Sequence, residues 1–258
     1  MTSAELVLTD TRGQVLVVTL NRPHVANAID RATSARLREV FDGFRHDRAH
    51  RVAVLAGTGR DFCAGLDLSE AAREGPIGAS GRTVFAGITR DFECDKPIVA
   101  ALQGAVLGGG LELALCADLR VADETARLGS PEVTWGFMQG AGATQRLPRA
   151  VPLAVALELL LTGAPIDAGR AERVGLVNRV VAEGEALAGA LELAEIIASR
   201  APVAVRRAKE AALRGREQTL AEGLRLEDLL ARTLMGTHDV SEGIEAFVEK
   251  REPRFEGK

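Results

Sequence analysis

Two glutamates, Glu112 and Glu132, follow two stretches whose composition could expose backbone amides. These stretches are Gly108-Gly109-Gly110 and residues 63–67, with the sequence Cys-Ala-Gly-Leu-Asp. Paired carboxylates can move protons to and from carbon and water. A pair of free backbone N–H groups can hold an oxyanion formed from a carbonyl. These residue types together predict acid–base chemistry on a carbonyl compound, and an acyl thioester is the natural candidate.

The glycine run has a clear place in the predicted elements. A strand ends near Gln103, and the three glycines then precede a helix predicted over residues 111–116. Glycines permit positive φ and close approach of a ligand, and a helix start adds unpaired N–H groups and a positive dipole. Taken alone, the run could equally be a turn that lets a helix pack on a sheet, and Glu112 could be a helix-capping acid.

The surroundings of Glu132 leave its role just as open. It follows Ser130-Pro131 in a loop, where a solvated acid is the default interpretation of a single glutamate. The chain contains neither the G-x-G-x-x-G run of dinucleotide-binding folds nor a G-x-x-x-x-G-K-[ST] phosphate loop. Nucleotide chemistry therefore lacks its usual sequence signals.

Composition and charge exclude several classes of protein. The chain has 258 residues, of which 47% are hydrophobic and 26% charged, and this is typical of a folded globular protein. A net charge of -4 argues against general nucleic-acid binding, which requires an excess of Lys and Arg. No apolar run approaches the roughly 18 residues that a membrane span needs. We expect neither a nucleic-acid nor a membrane partner.

The cysteines and the N-terminal residues favour a cytoplasmic protein. There are three cysteines, Cys63, Cys94 and Cys116, an odd number without a C-x-x-C pair, as expected in a reducing compartment. The first ten residues show no secretory pattern. Cys63 lies beside the candidate site, but small apolar packing is its expected role.

The order of predicted elements indicates an α/β fold, because short β-rich runs alternate with helical ones in the first half. Strands are predicted over residues 14–20, 51–57, 97–103 and 119–122. Helices are predicted over residues 30–47, with Asp30 as N-cap, and over 153–161, 167–174, 185–199, 202–213 and 218–234. Strand signals almost vanish after residue 141. We divide the chain into a core at residues 1–200 and a C-terminal helical region at 201–258.

Residues 69–91 differ from the segments around them. Gly75-Pro76, Gly78 and Gly81 are expected to interrupt any regular element there. This composition predicts a mobile lid or a pocket wall.

From about residue 21 to residue 251 the chain resembles the enoyl-CoA hydratase/isomerase family, also called the crotonase superfamily. The motifs that carry the resemblance are Asn21-Arg22-Pro23, Ala26-Asn27-Ala28, Phe62-Cys63-Ala64-Gly65-Leu66-Asp67-Leu68, Val99 to Gly104, Gly108-Gly109-Gly110-Leu111-Glu112, Cys116-Ala117-Asp118, Pro131-Glu132, Gly140 to Leu147 and Phe247 to Arg251. The resemblance implies a crotonase (ClpP-like) fold of repeated ββα units. It also implies that the C-terminal helical region forms a homotrimer or a dimer of trimers.

The same resemblance implies roles for the candidate residues. The amides of Leu66 and Gly109 would form the oxyanion hole for the thioester carbonyl. Glu112 would activate the water that adds to the β-carbon, and Glu132 would protonate the α-carbon. The Gly140 amide would orient the acyl group or the water. Hydration of a 2-enoyl-CoA is the implied reaction.

The implied substrate-binding residues surround these groups. They are Arg22, Ala26, Ala64, Gly65, Leu66, Asp67, Leu68, Gly108, Gly109, Trp135 and Lys250. Arg22, with Lys250 from a neighbouring subunit, would bind the phosphates of coenzyme A. Coenzyme A is part of the substrate, so no separate cofactor and no metal are expected.

Two positions depart from common hydratase sequences. Leu66 stands where alanine is frequent, and its larger side chain could reshape the acyl pocket. Gln139 stands where proline is frequent and adds a donor and an acceptor near Glu132. Both departures bear on the acyl group accepted rather than on the reaction.

Two other functions and one other site remain to be weighed. The chain could be an enoyl-CoA isomerase that uses Glu132 as its proton shuttle, or a non-catalytic acyl-CoA-binding member of the family. A metal site at His46 and His50, spaced i, i+4, is disfavoured because the segment has the character of a solvated helix end.

Overall fold

The computed structural model describes residues 2–75, 77 and 84–258. The strands within these residues are β1 (Val7–Arg12), β2 (Val15–Leu20), β3 (Val52–Gly57), β4 (Ile98–Leu102), β5 (Ala105–Leu107), β6 (Leu119–Asp123), β7 (Arg127–Gly129), β8 (Ile166–Asp167) and β9 (Arg179–Val181). The helices are α1 (Ser3–Leu6), α2 (Arg31–His46), α3 (Leu68–Glu74), α4 (Gly109–Ala114), α5 (Ala143–Ala150), α6 (Leu153–Thr162), α7 (Ala168–Arg173), α8 (Ala186–Ala198), α9 (Pro202–Gly215), α10 (Leu220–Arg232) and α11 (His238–Glu249). Short 3₁₀ turns cover Pro23–Val25 and Pro131–Trp135.

The strands form a large sheet and a small sheet. The large sheet has the order β1-β2-β3-β4-β6-β9, and the small sheet has the order β5-β7-β8. β1 pairs antiparallel with β2, whereas the other pairs of the large sheet are parallel. After β4 and again after β6, the chain adds a short strand to the small sheet and then turns into helical structure. The predicted α/β class with ββα units is confirmed.

Helices cover both faces of the large sheet. Strand β3 is buried along nearly its whole length, as expected of a central strand in a parallel sheet. On one face α8 packs through alanines at every fourth position, Ala186, Ala190, Ala194 and Ala198, which allow the helix to lie close to the strands. On the other face the apolar side of α2 joins the main core. The sheet is therefore a rigid support for the loops at its strand ends.

The four predicted strands are confirmed to within a residue or so at each end, but other strands were missed. β1 escaped prediction because its side chains are exposed after Val7, so it lacks an alternating apolar pattern. β5, β7, β8 and β9 have only two or three residues each. After residue 141, where strand signals almost vanish, the described residues form only the two short strands β8 and β9. Pairing with neighbouring strands, rather than local sequence, forms these short elements.

The predicted helices are confirmed, with Asp30 as the N-cap of α2 through a hydrogen bond from the Thr33 N–H. The start of α4 differs from prediction. α4 begins at Gly109 rather than at residue 111, so Gly109 and Gly110 belong to the helix itself and Gly108 is its N-cap. α11 was not predicted. Over residues 69–91 a helix, α3, was not predicted, but its C-cap is Gly75, one of the glycines expected to interrupt regular structure.

Helix α3 occupies the start of that segment. It begins after Asp67, whose side chain accepts hydrogen bonds from the N–H groups of Ser69 and Glu70. Pro76, Gly78 and Gly81 lie outside the described residues. Further along, residues 84–91 fold as a turn that buries Thr89 and its apolar neighbours.

The C-terminal helices contact the sheet region through charged groups. Lys209 of α9 donates to Asp118 at 2.7 Å and to the Lys96 carbonyl at 2.9 Å. Arg51 donates to the Phe255 carbonyl at 2.7 Å. The boundary between residues 200 and 201 stays a prediction. Within the described parts of the chain, no helix has both the length and the apolar character needed to cross a membrane.

Candidate active site

Glu112 lies in the first turn of α4 and is buried, with only 3% of its surface exposed. Its Oε1 accepts hydrogen bonds from the N–H groups of Ala141 at 2.8 Å and Ala143 at 2.9 Å. Burial raises the pKa of Glu112 above its usual value, and the charge of Glu132 raises it further. The two amides and the charge of Arg146 oppose this rise in pKa without cancelling it. The carboxyl group is thus fixed in place and holds a proton more tightly than an exposed glutamate.

Glu132 lies in the 3₁₀ turn that follows β7. Its Oε2 accepts a hydrogen bond from the Ser130 hydroxyl at 2.9 Å. Its Oε1 is buried and has no hydrogen-bond partner among the described residues. This oxygen lies against Gly108, 3.5 Å from the position that a Cβ would take there. Because a buried carboxylate oxygen without a partner is unfavourable, Oε1 is available to exchange a proton with a bound molecule.

Gln139 reaches Glu132 only indirectly. Its buried Nε2 donates to the carbonyls of Ser130 at 3.4 Å and Leu160 at 3.2 Å. The Gln139 side chain therefore supports the backbone of Ser130, whose hydroxyl bonds to Glu132, and connects Ser130 to Leu160 in α6.

The two predicted amide-presenting segments pack directly against each other. A Cβ at Gly65 would lie 2.9 Å from the Leu107 oxygen and 3.0 Å from the Gly109 nitrogen. A Cβ at Gly110 would lie 2.1 Å from the Cys63 oxygen. Gly65 also has φ +101°. Only glycine at these positions allows the two segments to approach so closely.

The N–H groups of Leu66 and Gly109 are the free donors of this junction. Ile29 bonds to the Gly65 carbonyl and the Asp67 N–H, on either side of Leu66, so the Leu66 N–H points to the opposite side. Gly109 is the first residue of α4, where a backbone N–H has no acceptor within the helix. Within residues 2–75, 77 and 84–258, no hydrogen-bond acceptor is found for either N–H. The pair can serve as an oxyanion hole.

Phe85 lies against this junction and was missed from the sequence. Its ring is so close to Gly109 that a Cβ there would come within 2.3 Å of the ring. The phenyl ring is half-buried and packs against the main core. Phe85 is therefore a wall residue of the candidate site, within the segment predicted to be a lid or a pocket wall.

Arg22 has an internal role in the structure. Its guanidinium pairs with Asp67 at 3.0 Å and Asp30 at 3.2 Å, and it also donates to the Ala28 carbonyl. Burial opposes the ionisation of Asp67, but the Glu70 N–H and Arg22 outweigh it and lower the pKa of Asp67. Arg22 thus holds the turn before α2 beside the oxyanion segment. Its binding to a coenzyme A phosphate stays a prediction.

The remaining predicted residues lie at different depths. Ala26 adopts φ +50°, and its carbonyl accepts from the Ala64 N–H at 2.9 Å. Leu68 and Trp135 are exposed, Trp135 by 69%. Lys250 is exposed at the end of α11, and its approach from a neighbouring subunit stays a prediction.

Gly140 begins the turn that holds Glu112. Its carbonyl accepts a hydrogen bond from Arg90 at 2.6 Å. The two amides that bind Glu112, those of Ala141 and Ala143, were missed from the sequence, because a backbone donor leaves no side-chain signature. Only the neighbouring glycines could have indicated a tight turn there.

Cys63 and the two histidines His46 and His50 lie in environments that bear on their disfavoured roles. Cys63 is buried, and burial raises the pKa of its thiol to about 12, so it holds its proton at neutral pH. His46 ends α2, so His50 lies beyond the helix, where it contacts Asp47. The two imidazoles therefore do not lie on one helix face.

Comparisons with known proteins identify the family of the chain. The family model described as Enoyl-CoA hydratase/isomerase matches residues 10–258. The chain is 44% identical to a probable enoyl-CoA hydratase of Rhizobium meliloti, covering 98% of each chain. It is 42% identical to an (E)-benzylidenesuccinyl-CoA hydratase of Thauera aromatica, covering 97% of this chain and 99% of the relative. A carnitinyl-CoA dehydratase of Proteus mirabilis is also 42% identical, over 96% of this chain and 97% of the relative.

Solved structures show the same fold. The crystal structure of an enoyl-CoA hydratase from Mycobacterium marinum has a TM-score of 0.93 at 37% identity, covering 98% of this chain and 100% of that chain. An enoyl-CoA hydratase from Mycobacterium tuberculosis gives the same TM-score at 38% identity and the same coverage. With a matching family model and relatives above 40% identity along nearly the whole length, the chain belongs to the enoyl-CoA hydratase/isomerase family.

Proposed function

We propose that the protein hydrates a 2-enoyl-CoA thioester to the 3-hydroxyacyl-CoA. The observation that carries the proposal is the contrast between the two carboxylates. Glu112 is fixed through one oxygen by two backbone amides, whereas Glu132 keeps a buried oxygen beside Gly108 that has no partner among the described residues. Two such groups next to a pair of free N–H donors supply a base, an acid and an oxyanion hole in one place.

The reaction follows from these positions. The thioester oxygen would accept from the N–H groups of Leu66 and Gly109, which stabilise the enolate charge as it develops. Glu112 would take a proton from water while the water oxygen bonds to the β-carbon. Glu132 would give a proton to the α-carbon. The product gains one water, and transfer of the proton from Glu112 to Glu132 restores the site. Reversal of the same steps removes water from a 3-hydroxyacyl-CoA.

Relatives named for the addition of water and for its removal support this assignment. These relatives include a probable enoyl-CoA hydratase and a carnitinyl-CoA dehydratase. Addition and removal of water across a carbon–carbon bond use the same acid, base and oxyanion donors. Coenzyme A enters as part of the substrate, with Arg22 and Lys250 as the proposed phosphate contacts.

A panel of enoyl-CoA thioesters tests the proposal. We expect the purified protein to consume 2-enoyl-CoA thioesters, measured as loss of the conjugated double bond, and to form the 3-hydroxyacyl products. The panel should vary in chain length, because Leu66 is half-buried at the oxyanion junction and is expected to limit the acyl group. A protein that only moves the double bond of a 3-enoyl-CoA would overturn the hydratase proposal in favour of an isomerase.

We further propose that the chain assembles as a homotrimer or a dimer of trimers. The C-terminal helices expose large apolar side chains that a monomer would leave in water: Leu220 by 79%, Leu224 by 53%, Leu229 by 61%, Ile244 by 62%, Phe247 by 85% and Val248 by 74%. Exposed apolar surface of this extent marks protein interfaces.

We expect sedimentation or light scattering to give a mass of three or six chains. Phe247→Asp should shift that mass towards the monomer, because the charge would be buried at the interface. Leu8→Asp is the matched control, since Leu8 is 41% exposed on the edge strand β1. A wild-type monomer would contradict the proposed assembly.

A further inference from the structure

The turn that holds Glu112 has a cation on its other side. Ala141 and Ala143 direct their N–H groups to Glu112, and Arg146 of α5 reaches back to the same turn. Its Nη1 donates to the Ala141 carbonyl at 3.1 Å, and its Nη2 donates to the Thr89 carbonyl at 2.8 Å. One guanidinium therefore joins the turn to the residue 84–91 segment.

Gly142 makes room for this contact. It has φ +114°, and a Cβ there would lie 2.0 Å from Nη1 of Arg146. The guanidinium thus lies directly against the backbone of the turn. A larger residue at position 142 would displace the guanidinium or the turn, so the glycine and the arginine form one structural unit.

The guanidinium of Arg146 bonds to backbone carbonyls rather than to a carboxylate among the described residues. In that part of the chain no Asp or Glu forms an ion pair with this guanidinium, whose acceptors are the carbonyls of Ala141 and Thr89. The guanidinium is half-buried, and it acts electrostatically on Glu112 by lowering the pKa of that carboxyl. An unpaired cation beside a buried acid favours the ionised form of the acid.

The other groups that face Glu112 do not replace this cation. Glu132, from the 3₁₀ turn, is an acid and raises the pKa of Glu112. Cys116, from the same helix, donates its Sγ–H to the Glu112 carbonyl at 3.3 Å, and burial raises the pKa of this thiol to about 11. Among these neighbours only Arg146 is a cation.

We propose that Arg146 is a positioning residue for the hydration reaction, acting through Glu112. It fixes the turn that orients the carboxylate, and its charge favours the ionised form of that carboxylate, which is the form that accepts a proton from water. This role rests on the proposed function.

The same guanidinium supports the oxyanion side of the site. The Thr89 hydroxyl donates to the Phe85 carbonyl at 2.6 Å, and the Phe85 ring lies against Gly109. By holding the Thr89 carbonyl, Arg146 connects the turn at Glu112 with the wall behind the Gly109 donor. The turn that holds Glu112 and the wall beside the Gly109 N–H are thus both connected to the Arg146 side chain.

Three variants separate the effects of charge and geometry. Arg146→Gln removes both the charge and the hold on the turn. Arg146→Lys keeps the charge but cannot reach two carbonyls with a planar fork. Arg149→Gln is the matched control. Arg146 and Arg149 both line a cleft of about 590 Å³, but the Nη1 of Arg149 donates to the carbonyl of Gln145 in its own helix.

We expect Arg146→Gln to lower kcat by about 10-fold to 10²-fold with little change in KM, because small misplacements of a catalytic group have effects of that size. The acidic limb of its pH–rate profile should move to higher pH, since Glu112 then loses the cation that favours its ionised form. Arg146→Lys should restore the acidic limb but not the full kcat. Arg149→Gln should match wild type in both measurements.

An NMR titration of the glutamate carboxyl carbons gives a readout that does not require turnover. The Glu112 signal is identified by its loss in Glu112→Gln, and it should titrate at higher pH in Arg146→Gln than in wild type. If the wild type hydrates no enoyl-CoA, the proposed function fails, while this titration still tests the coupling. An unchanged Glu112 titration in Arg146→Gln would overturn the inference. A wild-type kcat in Arg146→Lys would also overturn it, and this test holds even if Arg146→Gln does not fold.

Discussion

Replacing Glu112 or Glu132 by glutamine is expected to lower kcat for hydration of a 2-enoyl-CoA by about 10²-fold or more, the usual contribution of a general acid or base. Glutamine keeps the size of the side chain. At position 112 its carbonyl oxygen can still accept from the Ala141 and Ala143 N–H groups. What is lost is the ability to carry a proton, and steady-state kinetics on a 2-enoyl-CoA measure this loss directly.

The stability of Glu112→Gln separates lost chemistry from lost structure. The folded state raises the pKa of Glu112, so the folded chain binds this proton more tightly than the unfolded chain does. At low pH the protonated Glu112 carboxyl therefore stabilises the folded wild type. This stabilisation declines as pH rises from the pKa of Glu112 in the unfolded chain through its higher pKa in the folded chain. Glutamine cannot ionise, so above this window we expect the variant to unfold at the same temperature as wild type or a higher one.

Controls make the comparison specific. Glu183→Gln removes one carboxylate from an exposed position and should leave kcat unchanged. If both active-site variants keep every CoA-dependent activity while still binding acyl-CoA, the protein is a binding module rather than an enzyme. If Glu112→Gln retains isomerisation of a 3-enoyl-CoA and Glu132→Gln does not, Glu132 is the proton shuttle of an isomerase.

Gly65→Ala is expected to lower kcat by about 10²-fold, because loss of one oxyanion donor typically has an effect of that size or greater. The new Cβ would lie 2.9 Å from the Leu107 oxygen and 3.0 Å from the Gly109 nitrogen. Both contacts are with backbone, which cannot rotate away. The adjacent Leu66 N–H and the Gly109 N–H would therefore move apart, and the geometry that holds the enolate oxygen would be lost.

The same substitution is expected to destabilise the fold moderately. Residue 65 has φ +101°, a region that side chains with a Cβ adopt at a cost of about 1–3 kcal/mol. Urea unfolding measures this change in free energy, and kcat at temperatures well below the midpoint measures the catalytic loss in the folded population. Gly43→Ala in α2 is the control, because nothing lies within 4 Å of its Cβ position. Unchanged kcat in folded Gly65→Ala would contradict the proposed oxyanion hole.

The parts of the fold that were predictable share one physical property. Strands such as β3 and helices such as α2 carry their own apolar pattern, and Asp30 marks the start of α2 by capping it. The short strands β5, β7, β8 and β9 do not, since two or three residues cannot establish a period. They exist because a neighbouring strand offers hydrogen bonds, and that neighbour is distant in sequence.

The candidate site divides in the same way. Glu112, Glu132 and the glycine runs were identified from residue type and motif. The sequence did not show which donors hold Glu112, because Ala141 and Ala143 contribute only their backbone N–H groups. It also suggested that Gln139 adds a donor near Glu132, whereas packing directs that donor to the Ser130 and Leu160 carbonyls.

By itself, the sequence determined the family, the α/β class and the residue types available for chemistry, because motifs and periodic patterns are local properties of the chain. Only the tertiary structure decided how the two carboxylates differ. Glu112 is fixed by N–H groups 29 and 31 residues away, and Glu132 keeps an oxygen beside Gly108 that has no partner in the described part of the chain. Burial, approach distance and the charge of Arg146 arise only when segments far apart in sequence pack together, so they cannot be read from the order of residues.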